Sequence, residues 1–424
     1  MATHKPSIVV VGSGMGGVET AASLANHLNG EAKITMVSET SELELRPFNI
    51  YPAFSNVFKK RRLTHLPLAA SAAKRGIEFQ TWHVDEIDTD QQAIRSNGRS
   101  LNYDHLVIAT GAGMRPDEIP GYSENSDTFW AYSDSMKMAK SVEQMVANAK
   151  RGQRQHVLLN VAPNNKCAGP MYEIVFMLES YLRRKKVRDM FELTYTTAEE
   201  HYIQAFGPKL HEAASKGLDR VGITGHTEYR MTHLEPNKAH FDNGETIDFD
   251  FMIGFPPYVA HTNFESLPTD DRGFIHADKE NWKVRGHENV YVVGDGGDFP
   301  VKQAFLALGM AGTVAHNIAN EVKKKPVTNV FDPVSMCIME QFDAGLYAQV
   351  PLSIQDDPDK PIVTMRPGAD DDYVVRRSRL WQMGKWGMYM TMVWQMGRMH
   401  TFHEGGIWTA MDIAIQGMQK LPSK

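Results

Sequence analysis

The chain has 424 residues, 42% of them hydrophobic, and a formal net charge of −6. That length supports two or three domains with a sizeable core, and the negative balance offers no general attraction for nucleic acid. Two cysteines cannot build a disulfide framework and no Cys/His spacing fits a zinc pattern, so no metal site is expected; no apolar run reaches the roughly eighteen residues that span a bilayer.

In chain order, Ser7 to Val11 is a short β-branched run that leads into Gly12-Ser13-Gly14-Met15-Gly16-Gly17, and Val18 to Leu28 has helical apolar spacing. This is strand, glycine turn, helix. Gly12 allows the tight turn, Gly14 lets backbone approach a pyrophosphate, and Gly17 permits close packing of helix on strand. A second apolar strand, Lys33 to Val37, ends at Glu39, an acid placed where a dinucleotide ribose is recognised. Leu106 to Gly113 reads as a buried strand ending in the small-residue turn Ala109-Thr110-Gly111. No secretory signal precedes the first strand, which predicts a chain that starts in the cytoplasm.

The matching strand of the second half is His156 to Val161, followed by Pro163-Asn164-Asn165-Lys166-Cys167. No glycine triplet stands there. Without it, backbone cannot close around a second pyrophosphate, which argues against nicotinamide as electron donor. Met171 to Lys186 carries one apolar stripe and is expected to be a helix with Pro170 in its first turn. Cys167 would stand at that helix's N-terminus and gain thiolate character from the free amides and from Lys166; a small buried hydrophobe is the competing reading. Asn289 to Gly297 is a strand ending in Gly294-Asp295-Gly296-Gly297, and Lys302 follows in Phe299-Pro300-Val301-Lys302-Gln303. The second cysteine, Cys337, precedes an acidic, glycine-containing turn that includes Phe342. From Arg376 to His403 the chain mixes Trp381, Trp386 and Trp394 with Met383, Met388, Met390, Met392, Met396 and Met399 and with Arg376, Arg377, Arg379, Lys385 and Arg398. Such a basic, aromatic helix suits a membrane interface, although a methionine stripe on composition alone suits core packing or a dimer contact.

The Ala-Thr-Gly and Gly-Asp segments resemble those of the two-dinucleotide-binding-domain flavoproteins, in which Asp295 would bond the ribityl chain of FAD. Cys167-x-Gly169-Pro170-x-Tyr172-Glu173, the basic run to Arg188-Asp189, and Cys337 before its turn resemble the sulfide:quinone oxidoreductases, nearly from end to end. The resemblance implies an α/β fold of two Rossmann-like dinucleotide-binding domains plus a C-terminal membrane-interface segment. The FAD domain would be discontinuous, 1–113 with 273–330; 114–272 would form a second domain without a working NAD loop, and 331–424 the redox-cysteine and quinone region.

It further implies that Cys167 and Cys337 form a disulfide or sulfur-bridged pair beside the flavin, that hydrogen sulfide attacks it, and that Cys167 carries the growing sulfur chain while Cys337 passes electrons to the flavin. Glu173 would manage protons and Lys302 would sit by the flavin pyrimidine. Gly12, Gly14, Gly17, Glu39, Thr110, Gly111, Gly294 and Asp295 would hold the cofactor. Phe342 and Trp394 would face the membrane quinone. The family's second quinone-side lysine is Thr391 here. No cysteine occurs between Asp117 and Asp134, so FAD is expected to be non-covalent, and the family's histidine after Tyr-Ile-Gly is absent, with only His201 nearby. The resulting picture is a monotopic protein on the cytoplasmic side of a prokaryotic membrane, with lipid surface, sulfide and quinone as partners and a homo-oligomer left open. A type II NADH:quinone oxidoreductase, a sulfide dehydrogenase flavoprotein donating to a cytochrome, and a non-catalytic flavin redox sensor are the alternatives.

Overall fold

The β-branched runs pair as parallel strands in the computed structural model, which describes residues 5–355 and 362–421. The first sheet runs in the order Val290–Val292, His105–Ile108, Ser7–Val11, Lys33–Ser38, Ile77–Thr81, all parallel. A strand from the second half of the chain thus completes a sheet begun at the N-terminus. Apart from the edge strand Ile77–Thr81, these strands are buried on both faces, which is why they are rich in apolar, β-branched residues instead of alternating. Helices Met15–Leu28 and Ala304–Val322 pack on one another and on this sheet.

A second parallel sheet has the order Thr224–His226, Phe191–Thr197, Gln155–Val161, Phe251–Phe255. Helix Gly169–Arg184 follows Gln155–Val161 after a seven-residue link and begins two residues before the expected Met171, with Pro170 in its first turn. The third unit is antiparallel: Val334–Glu340 pairs with the long strand Gly345–Gln355, which also pairs with Ile362–Met365 and Val374–Ser378. Cys337 lies on the first of these strands, opposite Ala348.

The C-terminal segment differs from the single amphipathic stretch expected. Arg376 and Arg377 belong to strand Val374–Ser378; helix Arg379–Met396 follows, and a second helix, Gly405–Gln419, closes the chain. Among the described residues no helix is long and apolar enough to cross a membrane.

Candidate functional site

One cavity of ≈ 470 Å³ collects residues from all three units. Its wall includes Gly12, Gly14, Glu39, Thr110, Gly111, Gly294, Asp295 and Lys302 together with Cys167, Glu173 and Cys337. The glycine loop is shaped by contact as well as by turn geometry. A β-carbon on Gly12, where φ is +113°, would sit 2.3 Å from the Ala109 carbonyl oxygen. One on Gly17 would sit 2.1 Å from the Gly12 carbonyl oxygen, so Gly17 is required for helix–strand packing and does not itself line the cavity. Gly14 caps helix Met15–Leu28, whose first turn has no acidic side chain, leaving an electropositive end toward the cavity. Glu39 stands at the cavity edge beside His83. The Gln303 side-chain oxygen, also in the wall, is buried without a hydrogen-bond partner. A cleft with a glycine-lined helix N-terminus and an unpaired polar atom, Gln303 Oε1, in its wall fits a dinucleotide.

Lys302 is buried, donates to the Gly297 carbonyl oxygen and lies 3.8 Å from the centroid of the Phe274 ring. Burial lowers its pKa to about 7, with Asp295 pulling the other way; burial raises Asp295.

Cys167 and Cys337 are unbridged thiols, half-buried, in the same wall. The expectation that the helix N-terminus and Lys166 would acidify Cys167 is overturned. Burial pushes its thiol well above the usual range, and Asp295, Cys337 and Glu173 push it further; only the Gly169 amide acts the other way. The local backbone supplies the reason. Pro170 has no N–H, the Met171 N–H is bonded to Ala168 O at 3.0 Å, and the Cys167 N–H is bonded to Asn165 Oδ1 at 2.9 Å. Burial also holds Lys166 below its usual range, with Asp270 and Asp271 opposing.

Cys337 is pushed up to about 12 by burial and by Glu173, with Lys385 opposing. That lysine is the second correction. It was expected to face lipid head groups, yet it is buried in the cavity wall and pairs with Glu173. Glu173 Oε2 also accepts the Glu340 N–H at 2.8 Å, and burial holds this carboxyl above its ordinary range while Lys385 draws it down. Glu340, which the sequence reading missed, is fully buried; its Oε1 accepts the Phe342 N–H at 2.6 Å and Gln382 Nε2 at 2.9 Å, and its Oε2 has no partner. In the sequence Lys385 stands out only as one of the basic residues of the 376–403 segment. Nothing in the sequence marked Glu340 beyond its place three residues after Cys337.

Phe342 and Trp394 are not brought together and neither lines the cavity. Phe342 sits in a turn at φ +62°, and its ring packs against Phe54 and the Arg184 guanidinium, which carries it away from the wall. Trp394 is 47% exposed, beside Arg398 and His400. The C-terminal helices reach the cavity instead through Lys385, Met388, Met392 and Ile415. Thr391 donates to the Gly387 carbonyl oxygen at 2.9 Å, and His201 is exposed.

The description "Pyridine nucleotide-disulphide oxidoreductase" matches residues 6–155. The sulfide-quinone reductase of Aquifex aeolicus (strain VF5) is 27% identical over 383 residues, 83% of this chain and 84% of that protein. The mitochondrial sulfide:quinone oxidoreductase of Mus musculus is 24% identical over 346 residues, covering 78% and 74%. The X-ray structure of the sulfide:quinone oxidoreductase from Aquifex aeolicus superimposes with a TM-score of 0.83 at 21% identity, covering 96% of this chain and 95% of that one. In sequence and fold the chain is similar to sulfide:quinone oxidoreductases over most of its length. That similarity implies FAD as the cofactor, and the glycine-lined cleft fits a dinucleotide.

Proposed function

We propose that this protein oxidises hydrogen sulfide at Cys167 and Cys337 and passes the electrons by way of FAD to a membrane quinone. The observation that carries the reading is the convergence of both cysteines on the cavity that also holds the Gly12 loop and Asp295. The Aquifex aeolicus and Mus musculus relatives are named for sulfide and quinone, which supports the substrate pair. Gly12 and Gly14 would receive the pyrophosphate, Glu39 the ribose, and Thr110, Gly111, Gly294 and Asp295 the middle of the cofactor, with Lys302 as the cation near its ring. When bound, without a covalent link, FAD supplies a two-electron acceptor beside the thiols.

The chain's own residues set the order of the sulfur steps. H₂S attacks the Cys167 sulfur of a Cys167–Cys337 bridge; the S–S bond breaks, a persulfide forms on Cys167, and the electron pair leaves on Cys337 as thiolate. Cys337 is the better leaving group because Lys385 draws its pKa down, whereas among the described residues no cation does so for Cys167. The proton shed by H₂S goes to Glu173, whose affinity for it rises as Lys385 is shared with the new thiolate. Loss of two electrons from the Cys337 thiolate and the Cys167 persulfide, which bound FAD would accept, with the persulfide proton released, would close a bridge one sulfur longer, and repetition would lengthen the chain on Cys167 until polysulfide or elemental sulfur is released.

Access to a lipid-soluble quinone calls for peripheral, monotopic membrane contact. Leu380, Met383, Trp386, Met390 and Trp394 are exposed on helix Arg379–Met396, with Ile407 and Ile413 exposed on the helix after it, and Arg376, Arg379 and Arg398 nearby. That is the pattern of an interfacial anchor. Steady-state reduction of decylubiquinone tests the whole reading: sulfide is expected to drive it and NADH not. Equal rates with NADH would favour the type II NADH:quinone alternative, and cytochrome reduction without quinone the sulfide dehydrogenase.

A further inference from the structure

Away from the cavity, three elements far apart in sequence meet at a second cluster. His27 lies in the last turn of helix Met15–Leu28, His316 lies in helix Ala304–Val322, and Glu404 lies in the link before helix Gly405–Gln419. One ligand atom from each comes within 4.8 Å of the others. The His27 and His316 rings are 4.0 Å apart between centroids. His27 Nε2 is buried with no hydrogen-bond partner and stands 3.6 Å from Glu404 Oε2, too long for a hydrogen bond. Ser23 Oγ donates to the Glu404 carboxylate, 2.9 Å from each oxygen, which orients it from behind.

We propose that His27, His316 and Glu404 bind a divalent first-row transition cation of the zinc type, and that this ion clasps the C-terminal helices to the flavin domain. Two imidazoles and one carboxylate, with a fourth position left for water, form a donor set that such ions take. Donors on a tetrahedral zinc stand about 3.3 Å apart, so modest side-chain rotation converts the present spacing into a ligand set. Ser23 supplies the outer hydrogen bond that metal-ligating carboxylates use. All three side chains are half-buried, so an ion can enter from solvent.

The position gives the ion a task. Phe402, two residues before Glu404, lines the cavity, as does Ile415 of the helix that follows. The same junction is held by buried Glu19, whose oxygens accept the Phe402 N–H at 2.8 Å and the His403 N–H at 2.9 Å. An ion on Glu404 would therefore fix how the last helix seats over the cavity. No short sequence motif could reveal it, because its ligands come from positions 27, 316 and 404.

The test uses the untagged, full-length, flavin-loaded protein, stripped with chelator and titrated with Zn²⁺ against a chromophoric competitor. Wild type is expected to take up one ion at micromolar or tighter affinity. His316→Ala and Glu404→Gln should each lose that equivalent, while His240→Ala, in the separate His233, Glu235 and His240 group, should keep it. Zn²⁺ should also raise the Tm and slow proteolysis after His403 in wild type and in His240→Ala only. Absence of binding in wild type, or binding and protection unchanged in both His316→Ala and Glu404→Gln, would overturn the proposal; ions held by the two cavity thiols would give the second result.

Discussion

Replacing Lys385 by Met removes the only cation paired with Glu173 among the described residues and leaves the carboxylate buried. Both side chains are almost fully enclosed, and Glu173 then keeps a single hydrogen bond, from the Glu340 amide at 2.8 Å. Removing one partner of a buried pair costs about 3–5 kcal/mol, because the other charge is left uncompensated. Protonation limits the loss. Burial already raises the Glu173 pKa above 4.5 in the folded state and Lys385 opposes that rise, so the substitution raises it further. A carboxyl with a raised folded pKa contributes stability that is fully present below its unfolded pKa and is lost as pH climbs through the folded one. Lys385→Met should therefore be mild near pH 5 and severe near pH 8, with stability falling by up to about 1.4 kcal/mol per pH unit between. Glu173→Gln added to Lys385→Met should restore much of the loss. Urea unfolding of the four proteins at both pH values gives the coupling, expected to exceed about 2 kcal/mol at the higher pH. Additive single effects, or a loss independent of pH, would refute the assignment of this pair.

Gly17→Ala should lower stability by at least about 1–3 kcal/mol and cut flavin absorbance per polypeptide, since its β-carbon would overlap the Gly12 carbonyl oxygen. Met390→Glu with Trp394→Glu should change stability by no more than about 0.5 kcal/mol per site yet abolish liposome cosedimentation, because both side chains are exposed. FAD affinity, read by fluorescence quenching, should weaken as pH rises through about 7, where Lys302 loses its charge in the folded protein, and Lys302→Met should flatten that profile.

The glycine loop and the strands were legible because their signals are local: apolar runs fix buried parallel strands, and Gly12, Gly14 and Gly17 stand at spacings that a tight turn and close packing require. The state of the thiols was not. Whether Cys167 is acidified depends first on how deeply the fold buries its sulfur and then on where Pro170 and Asn165 direct their groups, which spacing does not encode. Lys385 was read as a membrane cation because its neighbours are tryptophans and methionines. In the fold, the same helix presents Met390 and Trp394 outward while Lys385 and Met392 turn inward, and the buried acid that decides between the two readings, Glu173, comes from another unit. Phe342, expected to face the quinone, stands outside the cavity for a comparable reason: it is a left-handed turn residue whose ring packs on Phe54 and Arg184.

The central claim is that electrons enter through the two cysteines. Anaerobic addition of sulfide to the flavin-loaded protein, followed by stopped-flow absorbance in wild type, Cys167→Ala and Cys337→Ala, tests it most directly. Rapid bleaching of the flavin in wild type and its loss in both variants, with the colour returning in wild type when decylubiquinone is added, is the predicted result; bleaching that stays fast in either variant would contradict it.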